Sequence, residues 1–271
     1  MEEVFALNNI RIKFIRGENV KFISHLDLMQ VFERALRRAH LPIAYSQGFN
    51  PHPHIVFGLP LSVGVTSQAE YADFELMKTV TPENFLERLN GELPEGLKIL
   101  TAASKESKDN VMATIGAASY EILVSTVSKT GKSELEESMK RLLQESEIIV
   151  KKEGKKGVKD VNIKSMILKL ELNDLNGQTV ESEGLRFLKD YIEAQRNPAL
   201  LPPSYSLENL FYFSAQLSAG SVANLKPELL FVALNEFFNH GMKLVKIHRS
   251  GLFVSARGVF KDPLDESVLL G

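Results

Sequence analysis

The sequence predicts an α+β protein made of two ferredoxin-like domains in tandem, and three observations lead to this prediction. The chain has 271 residues, enough for two domains of ordinary size. Apolar residues make up 44% and charged residues 24%, as in globular proteins. The expected elements run β-α-β-β-α-β twice, with a polar seam over residues 104–118. The expected domains are therefore residues 1–105 and 117–258.

Strand alternation, turn residues and helix caps assign the first half. The expected extended segments are residues 10–15, 20–23, 54–57, 71–77 and 97–102. The first helix is expected over residues 24–40. A second begins at Thr81, a favourable cap that is followed by a proline at the first helical position.

The second half repeats this order of elements. Its expected strands are residues 120–127, 148–152, 161–172, 210–217 and 243–254. Helices are expected over residues 133–146 and 227–238, where apolar residues recur at helical spacing. A polar stretch over residues 173–203 interrupts the pattern, so we place an insertion there.

Composition excludes several classes of site. The chain has no cysteine, which rules out disulfides, thiolate zinc sites and cysteine-ligated iron–sulfur clusters. No run approaches the ~20 apolar residues of a membrane span, and the N-terminal stretch carries acidic residues where a secretory signal would be basic. We expect a cytoplasmic protein with no cofactor and no membrane partner. The net charge of −2 means that nucleic-acid binding would need a local basic patch.

The segment from residue 24 to residue 40 is the most informative helix. Ser24 and Asp27 have the spacing of a capping box, with aspartate in place of the usual glutamate. A helical projection places Met29, Phe32 and Leu36 on the stripe that faces the core.

The same helix carries three arginines, Arg34, Arg37 and Arg38, on or beside its polar face. Guanidinium groups bind phosphate in a forked geometry, so this face is a candidate RNA-phosphate surface. The alternative is a solvated helix face in which Glu33 and Arg37 form an i,i+4 ion pair.

His25 lies in the first turn of this helix, where the helix dipole disfavours the imidazolium. A neutral imidazole there is a candidate general base toward a ribose hydroxyl. The alternative is a hydrogen-bonded histidine packed at the edge of the core.

The loop over residues 42–60 contains proline, glycine, aromatic, amide and imidazole side chains. Such a mixture suits unstacked bases or a planar ligand. The candidate contacts are Tyr45, Gln47, Phe49, Asn50, His52 and His54. The alternative is a proline-stiffened crossover with Phe49 inserted into the core. We expect no metal site, because the ferredoxin-like topology places His25 and His54 at opposite ends of the sheet.

A lysine-rich hairpin over residues 151–169 has a local balance of +5 in an otherwise acidic chain. Its candidate phosphate contacts are Lys151, Lys155, Lys156 and Lys159. The alternative is that the lysines protect an edge strand from aggregation.

Four motifs of the first half resemble the radical-SAM-linked protein family. They are Arg11-Ile-Lys-Phe, Phe22-Ile-Ser-His-Leu-Asp-Leu, Phe32-Glu-Arg-Ala-Leu-Arg-Arg and Tyr45-Ser-Gln-Gly-Phe-Asn-Pro-His-Pro. The second half is similar through Asp160-Val-Asn-Ile-Lys and Ala219-Gly220-Ser221. The resemblance implies a radical SAM protein as partner, whose cluster this cysteine-free chain cannot itself hold. We add Arg11, Lys13 and Ser24, which lie in these motifs, to the candidate phosphate contacts.

A fainter similarity is to the CRISPR repeat-processing endoribonucleases, which also use two ferredoxin-like units and a histidine near the first helix. That similarity implies His25 as the catalytic base.

Three hypotheses follow. The chain is an RNA-binding accessory protein that presents structured RNA, such as tRNA or rRNA, to a radical SAM enzyme. It is a metal-independent endoribonuclease. Or it is a protein-only interaction subunit of the radical SAM enzyme.

Overall fold

The structure, a computed structural model, describes residues 8–126, 131–154, 157–173, 210–238, 241–256 and 258–271. The fold is mixed α+β, as predicted. The chain forms two compact units. Of the described residues, the first unit takes in those up to Ala117 together with those of Gly220–Val222 and Gly251–Gly271, and the second takes in those of Ala118–Ala219 and Ala223–Ser250. The tandem ferredoxin-like arrangement and the domain limits at residues 105 and 117 stay predictions.

The strands and helices follow one another along the chain with these bounds. The strands are β1 (Asn8–Arg16), β2 (Ile55–Phe57), β3 (Thr66–Leu76), β4 (Leu97–Lys105), β5 (Ile115–Ser125), β6 (Ile149–Gly154), β7 (Gly157–Asn162), β8 (Ile167–Asn173), β9 (Leu210–Ser218), β10 (Lys243–Ala256) and β11 (Val259–Lys261). The helices are α1 (His25–Arg38), α2 (Pro82–Asn90), α3 (Val111–Thr114), α4 (Lys132–Gln144), α5 (Pro227–Phe238) and α6 (Glu266–Leu270).

In the first unit, the sheet has the strand order β4-β1-β3, and β2 pairs with β3. All of these pairs are antiparallel. Because side chains alternate across a strand, β1 buries Ile12 and Phe14 on one face, where they join Phe32 of α1 and Phe85 of α2 in one core. Arg11 and Lys13 lie on the opposite face of the same strand.

Helix α1 begins as predicted, with a capping box. The Asp27 backbone N–H donates to the Ser24 hydroxyl at 3.1 Å, and the Ser24 backbone N–H donates to the Asp27 carboxylate at 3.2 Å. The predicted core position of Met29 is wrong, since its relative exposure is 37%. Leu28 is buried instead. The buried side of the helix consists of Leu28, Phe32, Ala35 and Leu36, and the centre of that side lies away from Met29.

Two expected extended segments differ from the structure. Residues 20–23 do not form a strand, because a 3-10 turn occupies Glu18–Val20. The single strand expected over residues 161–172 is two strands, β7 and β8, with a 3-10 turn at Lys164–Met166 between them. The Asn162 side-chain oxygen accepts from the backbone N–H of Ile148 and of Lys164, at 3.1 and 3.0 Å, and so stabilises this turn.

In the second unit, β9 lies between β5 and β8, whereas β6 and β7 form a separate two-stranded sheet. Helix α5 has the predicted bounds and buries Leu230, Leu234 and Phe238. Apart from Asn173, the predicted polar insertion over residues 173–203 lies outside the described residues. Over the residues that are described, no helix is both long enough and apolar enough to cross a membrane.

The C-terminal segment packs within the first unit, on the face of the sheet opposite α1 and α2. The Tyr71 hydroxyl donates to the Asp262 carboxylate at 2.8 Å, and Arg11 donates to the Pro263 carbonyl at 3.0 Å. The backbone N–H of Ser107 donates to the Leu269 carbonyl at 2.8 Å. The packing of residues 262–269 within the first unit was not predicted from the sequence.

Candidate nucleic-acid interface

The strands β6 and β7 form an exposed two-stranded ribbon in the second unit. Its antiparallel register places Lys152 opposite Lys159 and Lys151 opposite Asp160. All four side chains are exposed. Since side chains alternate along each strand, one face of the ribbon carries the two opposed lysines and the other carries the lysine–aspartate pair.

The pairing of Lys152 with Lys159 is electrostatically unfavourable. Like charges directly opposite each other in an antiparallel pair are destabilising. Among the described residues, neither lysine forms an ion pair with a carboxylate. An anion bound on this face would relieve the repulsion, and therefore this face is the stronger candidate for phosphate.

Lys152 was missed by the sequence-based choice of contacts. A signal was available, because a hairpin closed between Gly154 and Gly157 pairs residue 152 with residue 159. The predicted contact Lys151 lies on the other face, opposite Asp160. The predicted contacts Lys155 and Lys156 lie outside the described residues.

The arginines of α1 are exposed, as expected, but two of them already have acidic partners. Arg37 forms the i,i+4 ion pair with Glu33, with 2.5 Å between Nη2 and Oε1. Arg38 lies 2.7 Å from the Glu92 carboxylate and also donates to the Glu92 carbonyl at 2.5 Å. Arg34 is exposed and has no ion pair in the described part of the chain. The i,i+4 ion pair expected for a solvated helix face is therefore present on this helix.

The loop before β2 is a narrow excursion whose tip is open to solvent. Tyr45 and Pro53 form a β-bridge, and the Ser46 N–H donates to the His52 carbonyl at 2.8 Å. The alternative with Phe49 in the core is wrong, because the relative exposure of Phe49 is 106%. An aromatic ring held away from any core is available for stacking on a base.

The six candidate residues of this loop divide into two groups. At the tip, Gln47, Asn50 and His52 are exposed together with Phe49. At the base, Tyr45 is half-buried and its hydrogen bond raises the pKa of Arg37. His54 is also at the base, where Nδ1 lies 3.0 Å from the Glu75 carboxylate. The tip therefore provides the side chains that are free to meet a base.

His25 is half-buried at the start of α1, with its ring 5.6 Å from that of Phe57 in an edge arrangement. Desolvation lowers the pKa of His25, the nearby Arg16 lowers it further, and Glu70 partly opposes both. A lowered pKa favours the neutral imidazole. The neighbouring Ser24 hydroxyl donates to Asp27 at 2.7 Å, so binding a phosphate would compete with the helix cap.

Arg11 was a candidate phosphate contact, but the structure places it in the interior of the first unit. Its relative exposure is 1%, and it forms a two-pronged ion pair with Asp73 at 2.6 and 2.9 Å. A buried guanidinium whose donors are engaged cannot reach an RNA phosphate. Lys13 is half-buried with its ammonium 3.8 Å from Asp262. We therefore exclude Arg11 from the interface.

The described residues contain no group of three or more histidine, aspartate or glutamate side chains placed to hold a metal ion.

Comparison with known proteins gives a family match and similarities to solved structures. The model of DUF2344, described as an uncharacterized protein conserved in bacteria, matches residues 9–202. No curated protein matches the chain.

The chain is similar to solved chains of two assemblies. One is a Cbf5-Nop10-Gar1 complex, with a TM-score of 0.45, 10% identity, and coverage of 89% of this chain and 47% of that one. The other is an H/ACA RNP bound to a substrate RNA containing 2′-deoxyuridine, with a TM-score of 0.42, 10% identity, and coverage of 96% and 50%. The present chain spans about half the length of both.

Proposed function

The chain belongs to the DUF2344 family of uncharacterized bacterial proteins, and we propose that it is an RNA-binding accessory protein that works with a radical SAM RNA-modifying enzyme. Its RNA would be structured, in the class of tRNA or rRNA. The ribbon formed by β6 and β7 would bind the phosphate backbone, and the loop tip at Phe49 would stack on an unpaired base.

The observation that carries this proposal is the opposition of Lys152 and Lys159 across the ribbon. Edge protection alone would be served by lysines facing acidic or neutral residues, since a single charge suffices to discourage strand pairing. Two ammonium groups directly opposite each other weaken the ribbon, and a polyanion compensates for that cost. RNA is the polyanion that such an exposed ribbon would bind through counterion release.

The loop tip supplies the second type of contact. A fully exposed Phe49, flanked by Gln47 and Asn50, combines a stacking surface with amide donors and acceptors. Proteins recognise unpaired RNA bases with this combination.

The experiment is fluorescence anisotropy of the intact chain with a labelled tRNA and rRNA-fragment pool, titrated from low to physiological salt. We expect tight binding at low salt and a steep decrease in log K with log salt. The double variant Lys152→Ala/Lys159→Ala should lower that slope by about 1.5. The control is Lys151→Ala on the other face of the same ribbon. An unchanged slope in the double variant, or an equal loss in the control, would contradict the proposal.

The partnership with a radical SAM enzyme rests on the resemblance of the motifs at residues 22–28 and 45–53. Its test is a pull-down with a purified radical SAM partner, with and without RNA. Binding that needs RNA supports the accessory role. Binding without RNA, together with no RNA affinity of the chain itself, supports a protein-only subunit instead. Exposed apolar side chains at Phe22 and Leu26 favour that second candidate.

The neutral, half-buried His25 favours a third candidate, a metal-independent endoribonuclease. His25 would accept the proton of a ribose 2′-hydroxyl as the 2′-oxygen attacks the adjacent phosphorus. The bond from phosphorus to the 5′-oxygen would break, the 5′-oxygen would take a proton from the imidazolium or from water, and the product would carry a 2′,3′-cyclic phosphate. The test is incubation with RNA in EDTA. Cleavage that disappears in His25→Ala supports this candidate, whereas intact RNA, or equal cleavage by the variant, eliminates it.

A further inference from the structure

The first unit contains a cleft of about 420 Å³ on the sheet face opposite α1 and α2. Four strands of this unit contribute to its lining or its edge, through Asn9 on β1, His54 beside β2, Glu75 on β3 and Lys105 on β4. The segment after β4 adds Lys108. No residue of the β6–β7 ribbon takes part, and neither does Phe49. The cleft is therefore separate from the RNA contacts proposed above.

Both acidic side chains of the cleft already have partners. Asp73 accepts from Arg11 through both carboxylate oxygens, and it also accepts from the Val111 backbone N–H at 2.8 Å. Glu75 lies 3.0 Å from His54 Nδ1. The two lysines of the lining form no ion pair among the described residues, so they give the cleft a surplus of positive charge.

Lys105 is the more buried of the two lysines that line the cleft. Its relative exposure is 8%, and its ammonium donates to the Ser107 carbonyl. An ammonium has three N–H donors, and the described residues account for one of them. Desolvation lowers the pKa of Lys105, with Asp73 and Asp109 opposing that effect and Arg11 adding to it. Burying such a group is costly unless its charge is compensated.

The wall that holds the lysines is tied by backbone hydrogen bonds to the segment that contains Leu269. The backbone N–H groups of Glu106 and Ser107 both donate to the Leu269 carbonyl, at 2.9 and 2.8 Å. The Asn110 side-chain oxygen accepts from the Ala113 N–H at 2.9 Å, which leaves its amide N–H₂ as a donor at the cleft. Preformed clefts of this size with a few convergent polar groups are typical small-molecule sites.

We propose that this cleft binds a phosphate monoester of nucleotide size, a nucleoside 5′-monophosphate, with its phosphate between Lys105 and Lys108. Two ammonium groups on either side of Ser107 match the charge of a phosphate monoester. The amides of Asn9 and Asn110 supply neutral donors beside it, and the volume accommodates the attached nucleoside.

The experiment is isothermal titration calorimetry of the intact chain with AMP, inorganic phosphate and adenosine. We expect AMP to bind, inorganic phosphate to bind at least tenfold more weakly, and adenosine not to bind. Lys108→Ala should weaken AMP binding at least tenfold, and Lys108→Arg should retain it. Lys98→Ala, an exposed position on the same strand as Lys105, is the control and should bind AMP as the unaltered chain does.

Three outcomes would overturn the proposal: no binding of AMP, equal affinity for AMP and inorganic phosphate, or unchanged AMP affinity in Lys108→Ala. Lys105→Met, whose folding is checked by circular dichroism, should likewise weaken AMP binding, because it removes the buried ammonium group. The salt-dependent RNA binding of Lys108→Ala should be unchanged. Failure of the cleft proposal is thereby distinguished from failure of the RNA-binding proposal.

Discussion

Helix α1 and the β6–β7 ribbon both carry clustered basic residues, but their charges are compensated differently. On α1, Arg37 and Arg38 each have a carboxylate within 2.7 Å. On the ribbon, Lys152 faces Lys159 and has no acidic partner among the described residues. Exposed ion pairs contribute little stability, yet they reduce the charge that a surface offers to an anion. We therefore choose the stronger candidate for a phosphate surface by its local excess of charge rather than by its number of basic residues.

The largest effect is expected from reversing the ribbon charge with Lys152→Glu/Lys159→Glu. This variant keeps a like-charged pair across the strands, so the ribbon experiences a matched repulsion while its attraction for RNA is reversed. We expect RNA affinity at low salt to fall on the order of 100-fold, measured by anisotropy. The same reversal at Lys151 should have a much smaller effect, since Asp160 already faces that lysine. Equal losses of RNA affinity from the two reversals would show that the two faces of the ribbon do not differ in RNA binding.

The next largest effect is expected from Phe49→Ala, which removes stacking from the first unit without changing charge. A stacked base contributes about 1–3 kcal/mol, so affinity for RNA with unpaired bases should fall about tenfold. The salt slope should not change, which separates this contact from those of the ribbon. Phe49→Trp should retain affinity. A parallel loss for fully paired RNA would be inconsistent with stacking.

A smaller effect, in the opposite direction, is expected from removing the acidic partners of the α1 arginines. Glu33→Gln/Glu92→Gln frees Arg37 and Arg38, so RNA affinity at low salt should rise about threefold and the salt slope should steepen. Glu95→Gln is the control, because this exposed residue forms no ion pair in the described part of the chain. No change in the double variant would mean that α1 does not approach the RNA.

The smallest effect is expected from His25. Its folded-state pKa lies below the ordinary value of 6.5, so the unfolded chain takes up the proton first as pH falls. The stability that neutral His25 contributes is therefore present above about pH 6.5 and decreases below it. Melting temperatures between pH 7.5 and 5.5 should fall slightly less for His25→Gln than for the unaltered chain. A larger fall in the melting temperature of the variant would contradict the expected direction of this effect. RNA affinity should be unchanged.

Local signals were sufficient for the elements that depend on neighbouring residues. The cap formed by Ser24 and Asp27 and the bounds of α5 were predicted because each depends on a few consecutive side chains. Met29 was misplaced because a single helix projection does not show where the buried arc is centred. The break between β7 and β8 depends on the side-chain hydrogen bonds of Asn162, which strand alternation does not report.

The candidate sites were predictable only where they are contiguous in the sequence. The loop around Phe49 was identified as a candidate site from its composition, but the sequence did not show that Phe49 is exposed to solvent. Arg11 was assigned to the surface because the sequence cannot show that Asp73, on another strand, neutralises it. The cleft was not predicted at all, because Asn9, Glu75 and Lys105 meet only through the pairing of three strands.

The C-terminal segment has a consequence for how the protein is made. Arg11 and Tyr71 donate to acceptors on Pro263 and Asp262, and the Ser107 N–H, just after β4, donates to the Leu269 carbonyl. Domains usually form in order as the chain leaves the ribosome. Here the first unit is synthesised early but lacks those acceptors until residues 262–269 have been released. A nascent chain that stalls at residue 250 would leave a buried guanidinium short of one partner, and such chains should be preferred targets of proteases and chaperones.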